Sequence, residues 1–177
     1  MSNTFGSEEH KISFRIFKRH DGRPCDLMTF DGPTSGEVPS ADTAEAESGE
    51  KAQIDPGNDL QVLFDMPGLS LVHVWFKSGY PLPRHTHNVD CLYYITGGSI
   101  RMGQELLGPG DGFFVGANVP YTYTPGEEGV ALLEIRPSNS FDIKVPGDMA
   151  MLRAKSAKIM LDRQEAWAGE TSPPDNG

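Results

Sequence analysis

Gly79-Tyr-Pro-Leu-Pro-Arg-His85-Thr-His87-Asn-Val-Asp90-Cys91-Leu-Tyr-Tyr-Ile-Thr-Gly97-Gly98 is the stretch on which the reading of this chain turns. Side chains on a strand alternate faces, so His85 and His87 project to one side, roughly 6.5–7 Å apart along it. Two imidazoles at that spacing can converge on one metal ion. The pair follows a glycine and a Pro-x-Pro that stiffen the approach, and it leads into an apolar strand over 91–96. By the same alternation Cys91, Tyr93 and Ile95 share the inward face. Asp90 then faces the other way unless a bulge realigns the strand.

On both sides of this stretch the chain consists of short apolar runs of strand length. Residues 60–64, 70–77, 91–96, 99–107, 112–115, 120–124 and 130–135 each fit a strand. Turn signals fall between them at Met66-Pro-Gly68, Gly97-Gly98, Gly108-Pro-Gly-Asp111, Gly116-Ala-Asn118 and Pro125-Gly126. Even spacing of short strands argues for an all-β antiparallel sandwich or barrel. Residues 12–17 alternate Ile12, Phe14 and Ile16 with polar positions and read as a short edge strand. Residues 148–168 are the one stretch that suits a helix or two, with Met151, Leu152, Ala154, Ile159, Leu161 and Trp167 available to pack it on the sheet.

The first motif resembles that of the cupin superfamily: Gly, five residues, His-x-His, three or four residues, Glu, six residues, Gly. Gly79, His85, His87 and Gly98 fall on that spacing, with Cys91 at the family's Glu position. The family's second motif is Gly, five residues, Pro-x-Gly, two residues, His, three residues, Asn, and the segment from Gly110 to Pro125 is similar to it. Gly110 matches, Gly116 and Asn118 replace the Pro and Gly, Tyr121 stands at the third His, and Pro125 ends the match. The resemblance covers about residues 60–137. It implies a single cupin-type antiparallel β-barrel, jelly-roll-like, with a short C-terminal helical segment.

The resemblance also implies a pocket holding a divalent transition metal, here with His85, His87, Cys91 and Tyr121 as the candidate ligands. Fe2+ heads the expected metals, with Zn2+, Mn2+, Ni2+ or Cu2+ as alternatives and a metal-free site left open. A thiolate is a strong ligand for such ions, and a phenolate can ligate if the ion lowers its pKa. Cys91 and Tyr121 are also the candidate catalytic groups, completing the metal shell or moving protons. Cysteine dioxygenases, relatives in that superfamily, also carry Cys at the Glu position, joined to a pocket Tyr, which makes a Cys91–tyrosine crosslink a lesser alternative. Tyr93, Tyr123, His73 and Trp75 are expected to line the pocket. Arg84 and Arg101 are the cations nearest the motif that can neutralise an acidic substrate, Arg101 with the surface as its other reading. The implied activity is that of a small metal-dependent enzyme acting on a small organic molecule, by a non-haem iron dioxygenase-type reaction or a metal-assisted lyase or isomerase reaction. The alternative is a metal-poor binding or sensor module without turnover.

Composition bounds these expectations. The 177 residues carry a formal net charge of −10, with 20 Gly, 14 Pro and 2 Cys. An acidic chain without a Lys/Arg cluster disfavours nucleic acid and anionic membrane surfaces as partners. No run approaches 18 apolar residues and the N-terminus lacks a signal-peptide layout, so a cytoplasmic protein is expected. Cys25 and Cys91 can form at most one bridge and read better as thiols. Within residues 37–59 seven acids face the single Lys51, leaving −6 of the charge in one segment, which reads as a solvated surface loop or linker, with an acidic docking segment as the alternative. The expected organisation is an N-terminal strand region (1–30), an acidic loop (31–59), the barrel core (60–137) and a C-terminal segment packed on it (138–177) with a disordered tail. An exposed N-terminal edge strand favours pairing into a homodimer.

Overall fold

β-Branched and aromatic residues in short alternating runs, broken by glycine and proline, favour paired strands over helices. In the computed structural model, which describes residues 14–24, 56–147 and 149–174, they give seven strands and one long helix. The strands are β1 (Arg23–Pro24), β2 (Asn58–Met66), β3 (Leu69–Phe76), β4 (Cys91–Met102), β5 (Glu105–Leu107), β6 (Gly112–Val115) and β7 (Thr124–Arg136), and the helix is α1 (Met149–Gly169). The sheet runs β1-β2-β3-β7-β4-β5, with β6 also on β4, and every pairing is antiparallel. This is the all-β antiparallel barrel with a C-terminal helix that the sequence pattern and the cupin resemblance implied.

Register defines the interior. Val72, Glu134 and Tyr93 form one cross-strand row, and Val74, Leu132 and Ile95 form the next. All six are buried. Leu60, Val62, Phe76, Ile100, Tyr123 and Val130 extend the same core. Each such side chain contributes about 1.5–3 kcal/mol through the apolar surface it removes from water.

Two expected turns are bulges instead. β4 runs through Gly97-Gly98 and β7 through Pro125-Gly126, and register shifts occur between Ile95 and Gly97 and between Gly98 and Ile100. The conformation at Gly98 explains its glycine: φ is +68°, and a Cβ there would lie 2.2 Å from the Gly129 carbonyl oxygen. Only glycine lets the two long strands approach this closely.

The edge strand expected over 12–17 does not form among residues 14–17, which are irregular and exposed. The neighbouring sheet edge is occupied by β1, with Arg23 opposite Val62, so the alternation of Phe14 and Ile16 has no ladder to join. Residues 12 and 13 and the acidic segment up to 55 lie outside the described residues. Asn58 and Asp59, assigned to the loop from sequence, begin β2.

Helix α1 is attached mainly through its last turn. Trp167 is fully buried. Its Nε1–H donates to Ser78 O at 3.0 Å, its carbonyl accepts from Lys77 Nζ at 2.8 Å, and Tyr80 stacks on it at 6.1 Å. Ser78 N and Oγ both donate to the Glu170 carboxylate, at 2.9 and 2.6 Å. Of the residues expected to pack the helix, Met151, Ala154 and Leu161 are exposed and Ile159 is half-buried; the Leu152 side chain lies outside the described set. The tail expected to be disordered continues across the sheet in its described part, 171–174. A Cβ on Gly97 would lie 1.9 Å from Pro174 O. No helix among the described residues is long and apolar enough to cross a membrane.

Candidate functional site

Residues 85–87 are fixed between two other pieces of chain. His85 exchanges both backbone hydrogen bonds with Tyr121, each at 3.0 Å, and Thr86 does the same with Lys144 at 2.9 and 3.0 Å. The His87 carbonyl accepts from Asn118 N at 2.7 Å. Asn118 itself has φ +62°, a left-handed conformation that Asn tolerates better than most residues. The two histidine rings are thereby held inward, with centroids 5.0 Å apart and edge to face.

The hydrogen bonds assign the protons. A carbonyl only accepts, so His85 Nδ1–H donates to Pro83 O at 2.8 Å and His87 Nδ1–H donates to Asp142 O at 2.6 Å. Burial lowers the pKa of both rings, that of His87 to about 4, with the Arg136 charge adding to the effect there. Both imidazoles are therefore neutral at pH 7, with the Nε2 lone pair available. The His85 lone pair accepts from Tyr121 Oη at 2.8 Å. Since that hydroxyl proton is committed, the short contact between the Tyr93 and Tyr121 hydroxyls has Tyr93 as donor. A directed chain results, from Tyr93 to Tyr121 to His85.

Burial also raises the Cys91 thiol to about 12 and holds Tyr93, Tyr121 and Tyr123 well above the ordinary phenol value, with Glu134 reinforcing each shift. Cys91 is a free, buried thiol. Tyr93, Tyr121 and Tyr123 pack around Phe113, with Tyr93 stacked on it at 4.4 Å. The structure thus brings His85, His87, Cys91, Tyr93, Tyr121 and Tyr123 to one end of the barrel interior.

It does not bring His73 and Trp75 there. In the β3–β7 pairing His73 lies opposite Leu133 and Trp75 opposite Ala131, one residue out of phase with the interior row of Val72 and Glu134. Side chains alternate, so both belong to the other face of the sheet. His73 is lowered in pKa by burial and by Arg19 of the N-terminal segment. Arg84 and Arg101 are exposed. Asp90 is exposed as well and accepts from Ala117 N at 2.8 Å, bracing the turn rather than the site.

The cation and carboxylate of the site are two residues that sequence reasoning missed. Glu134 and Arg136 on β7 are buried, and Arg136 Nη2 donates to Glu134 Oε2 at 2.5 Å. The guanidinium lies 4.0 Å over the Phe141 ring, which in turn meets the His87 ring edge to face at 5.6 Å. Burial is the largest single influence on Arg136 and opposes its charge, but Glu134, Cys91 and Tyr93 together raise its pKa on balance. The signal was faint: Glu134 and Arg136 continue the inward phase of Val130 and Leu132, yet Ala131, Leu133 and Ile135 are equally apolar, so the run has no readable phase.

Two imidazoles with Nδ1 tied to carbonyls and Nε2 turned inward suit a divalent transition metal, because the outer hydrogen bond sets the tautomer and the ring angle. Tyr121 Oη, 2.8 Å from His85 Nε2, is the natural third donor once its proton is displaced, since a bound cation lowers a phenol's pKa. Cys91 is protonated without such a cation. Among the described residues no three of His, Cys, Asp and Glu group as ligands. The donor set fits a metal held by His85, His87 and Tyr121, which leaves coordination positions open.

No family model and no curated protein matches the sequence. Solved structures do match. The polyketide cyclase RemF from Streptomyces resistomycificus superposes with a TM-score of 0.53 and 14% identity, covering 76% of this chain and 87% of RemF. At that identity the likeness concerns the fold alone. An RmlC-like cupin from Shewanella frigidimarina NCIMB 400 matches at 26% identity over 48% of this chain and 80% of its own, with a TM-score of 0.41. Bacillus subtilis oxalate decarboxylase, described with Mn(II) centres, matches at 22% over 49% of this chain and 26% of its own, with a TM-score of 0.42. These last two overlaps are too partial to carry an argument about function.

Proposed function

We propose, from the premise that the chain has the cupin fold, that it is a small metal-assisted enzyme. Its site at the end of the barrel acts on a small organic molecule, with proton transfer of the lyase or isomerase kind. One observation carries this reading: two inward imidazoles, His85 and His87, beside the hydroxyl-to-hydroxyl chain from Tyr93 to Tyr121. A dioxygenase-type reaction at iron is compatible with the same ligands but makes no use of that chain.

His85, His87 and Tyr121 would hold the metal, which supplies Lewis-acid polarisation of a substrate oxygen. The chain's own groups do the remaining work. Pro83 O and Asp142 O keep the two imidazoles in the inward-facing tautomer. Tyr93, kept protonated by burial, donates to the Tyr121 oxygen and is the nearest proton source for a developing anion. Phe113 and Phe141 close the site with apolar surface, which strengthens each of these polar contacts.

A second reading, a metal-poor binding module, is favoured by the hydrogen bond between two of these residues: Tyr121 already occupies the His85 lone pair. Metal content separates the two. Protein expressed in iron- and zinc-supplemented medium is expected to carry close to one equivalent of metal, and His85→Ala/His87→Ala to carry almost none. Equal content in the two proteins overturns the metalloenzyme reading. A second copy of the chain is proposed as its partner and the cytoplasm as its location, with sedimentation equilibrium as the check on the first.

A further inference from the structure

Arg136 is the most heavily buried charged residue described, at 1% exposure, and it is incompletely paired. Arginine carries five N–H donors. Glu134 takes one from Nη2, and Phe141 covers a face of the guanidinium. Nε and Nη1 have no acceptor among the described residues. Directly across the β3–β7 pairing stands Ser70, 3% exposed, whose Oγ is also without a partner. Opposed residues in an antiparallel pair have Cβ atoms about 4.5–5.5 Å apart. Two adjacent buried groups thus offer hydrogen-bond donors with no acceptor among the described residues.

Leaving buried donors unmade costs about 1–3 kcal/mol per group, and native structures tolerate few such groups without a reason. Here they sit beside the histidine site: the Arg136 charge acts on both His85 and His87, and Phe141 bridges Arg136 and the His87 ring. A group with several acceptor oxygens and negative charge satisfies what Arg136 and Ser70 lack. A neutral amide carries a single acceptor and no charge. Arginine is suited to carboxylate because its donors are planar and permanently charged.

We propose that Arg136, with Ser70 beside it, anchors the carboxylate of the substrate, so that the molecule the site takes is a small carboxylic acid. This rests on the reading of the barrel interior as a small-molecule site, but not on a metal being held there. Glu134 is then a positioning residue: its carboxylate fixes one edge of the guanidinium and leaves the rest for the ligand.

The test is calorimetric titration of the purified full chain with benzoate and formate and with their neutral counterparts benzamide and formamide, repeated in EDTA so that a metal cannot be what binds the acid. Each acid is expected to bind about ten-fold or more tightly than its amide, the loss expected when charge-assisted hydrogen bonds are withdrawn. Arg136→Lys keeps the charge but loses the planar donor set, and is expected to weaken benzoate by a similar factor. Arg136→Met/Glu134→Gln removes the ion pair without stranding a charge, and is expected to abolish the preference for acid over amide while its metal content stays that of wild type. Equal affinity for acid and amide, no binding of either acid, or wild-type benzoate affinity in both variants would overturn the proposal. His85→Ala/His87→Ala is expected to retain the acid preference in EDTA, which keeps a failure of the metal reading distinct from a failure of this one.

Discussion

Neutrality is the common property of the individual site residues. Burial keeps two imidazoles unprotonated and a thiol and three phenols un-ionised, so the buried ion pair of Glu134 with Arg136 dominates the local field. Two outcomes follow at this scale. With its thiol raised to about 12 and buried, Cys91 in a Cys25→Ser background is expected to stay unreactive towards a disulfide reagent at pH 8 in native, EDTA-treated protein. One thiol should be released on denaturation; rapid native labelling would show the thiol to be open to solvent and ionised. Tyr121→Phe leaves the His85 lone pair and the Tyr93 hydroxyl without their partner, and is expected to cost about 2 kcal/mol in urea unfolding. An unchanged midpoint and slope would show that water replaces the hydroxyl freely. At this scale the sequence was readable where a motif carried the residue: His85, His87, Cys91 and Tyr121 come from motif spacing, and Tyr93 from alternation with Cys91. Glu134 and Arg136 were not readable, because a strand with apolar residues on both faces has no polar phase to reveal which charges point in.

The elements show how a glycine can mean two things. Gly110, at positive φ, lies in the turn expected over 108–111, and Gly103, also at positive φ, turns β4 into β5 within the run read as one strand over 99–107. Gly97-Gly98 and Pro125-Gly126 were read as ends of strands, yet they are where β4 and β7 bend around each other while continuing to pair. Local sequence cannot separate a turn from a bulge, since both need a residue without a Cβ, and only the distant partner strand decides. Helix α1 was legible in extent but not in attachment. Its apolar residues follow no single stripe, and among the described residues expected to pack only Trp167 is fully buried. Trp167→Ala is accordingly expected to cost about 3–5 kcal/mol, while Leu161→Ala, at an exposed position, should change stability by less than about 0.5 kcal/mol. Equal effects in chemical denaturation would mean that the helix packs along its whole length.

For the molecule as a whole, acidity is the stress to which this design is exposed. His73, His85 and His87 all have pKa values lowered from 6.5, His87 to about 4. Above 6.5 folded and unfolded chains are alike neutral at these positions, and nothing is lost. As the pH falls below 6.5 the unfolded chain takes up protons that the folded one refuses, so stability falls, and the His87 share of the loss is complete near pH 4. That share is about 3 kcal/mol, with His73 and His85 adding in the same direction. Unfolding of EDTA-treated protein at pH 7 and pH 4.5 is expected to show the drop, and His87→Gln to reduce it; a flat profile would show the imidazoles to be hydrated.

The placement of β7 between β3 and β4 also has a temporal meaning. A ribosome releases the β2–β3 hairpin and then the β4–β6 unit, and neither can pair with the other, because the strand that lies between them, Thr124–Arg136, has yet to emerge. Until it does, the histidines wait on a half-built wall: Tyr121 and Lys144, the backbone partners of His85 and Thr86, also arrive late in synthesis. The last third of the chain therefore joins two separate pieces into one sheet and assembles the site in the same step.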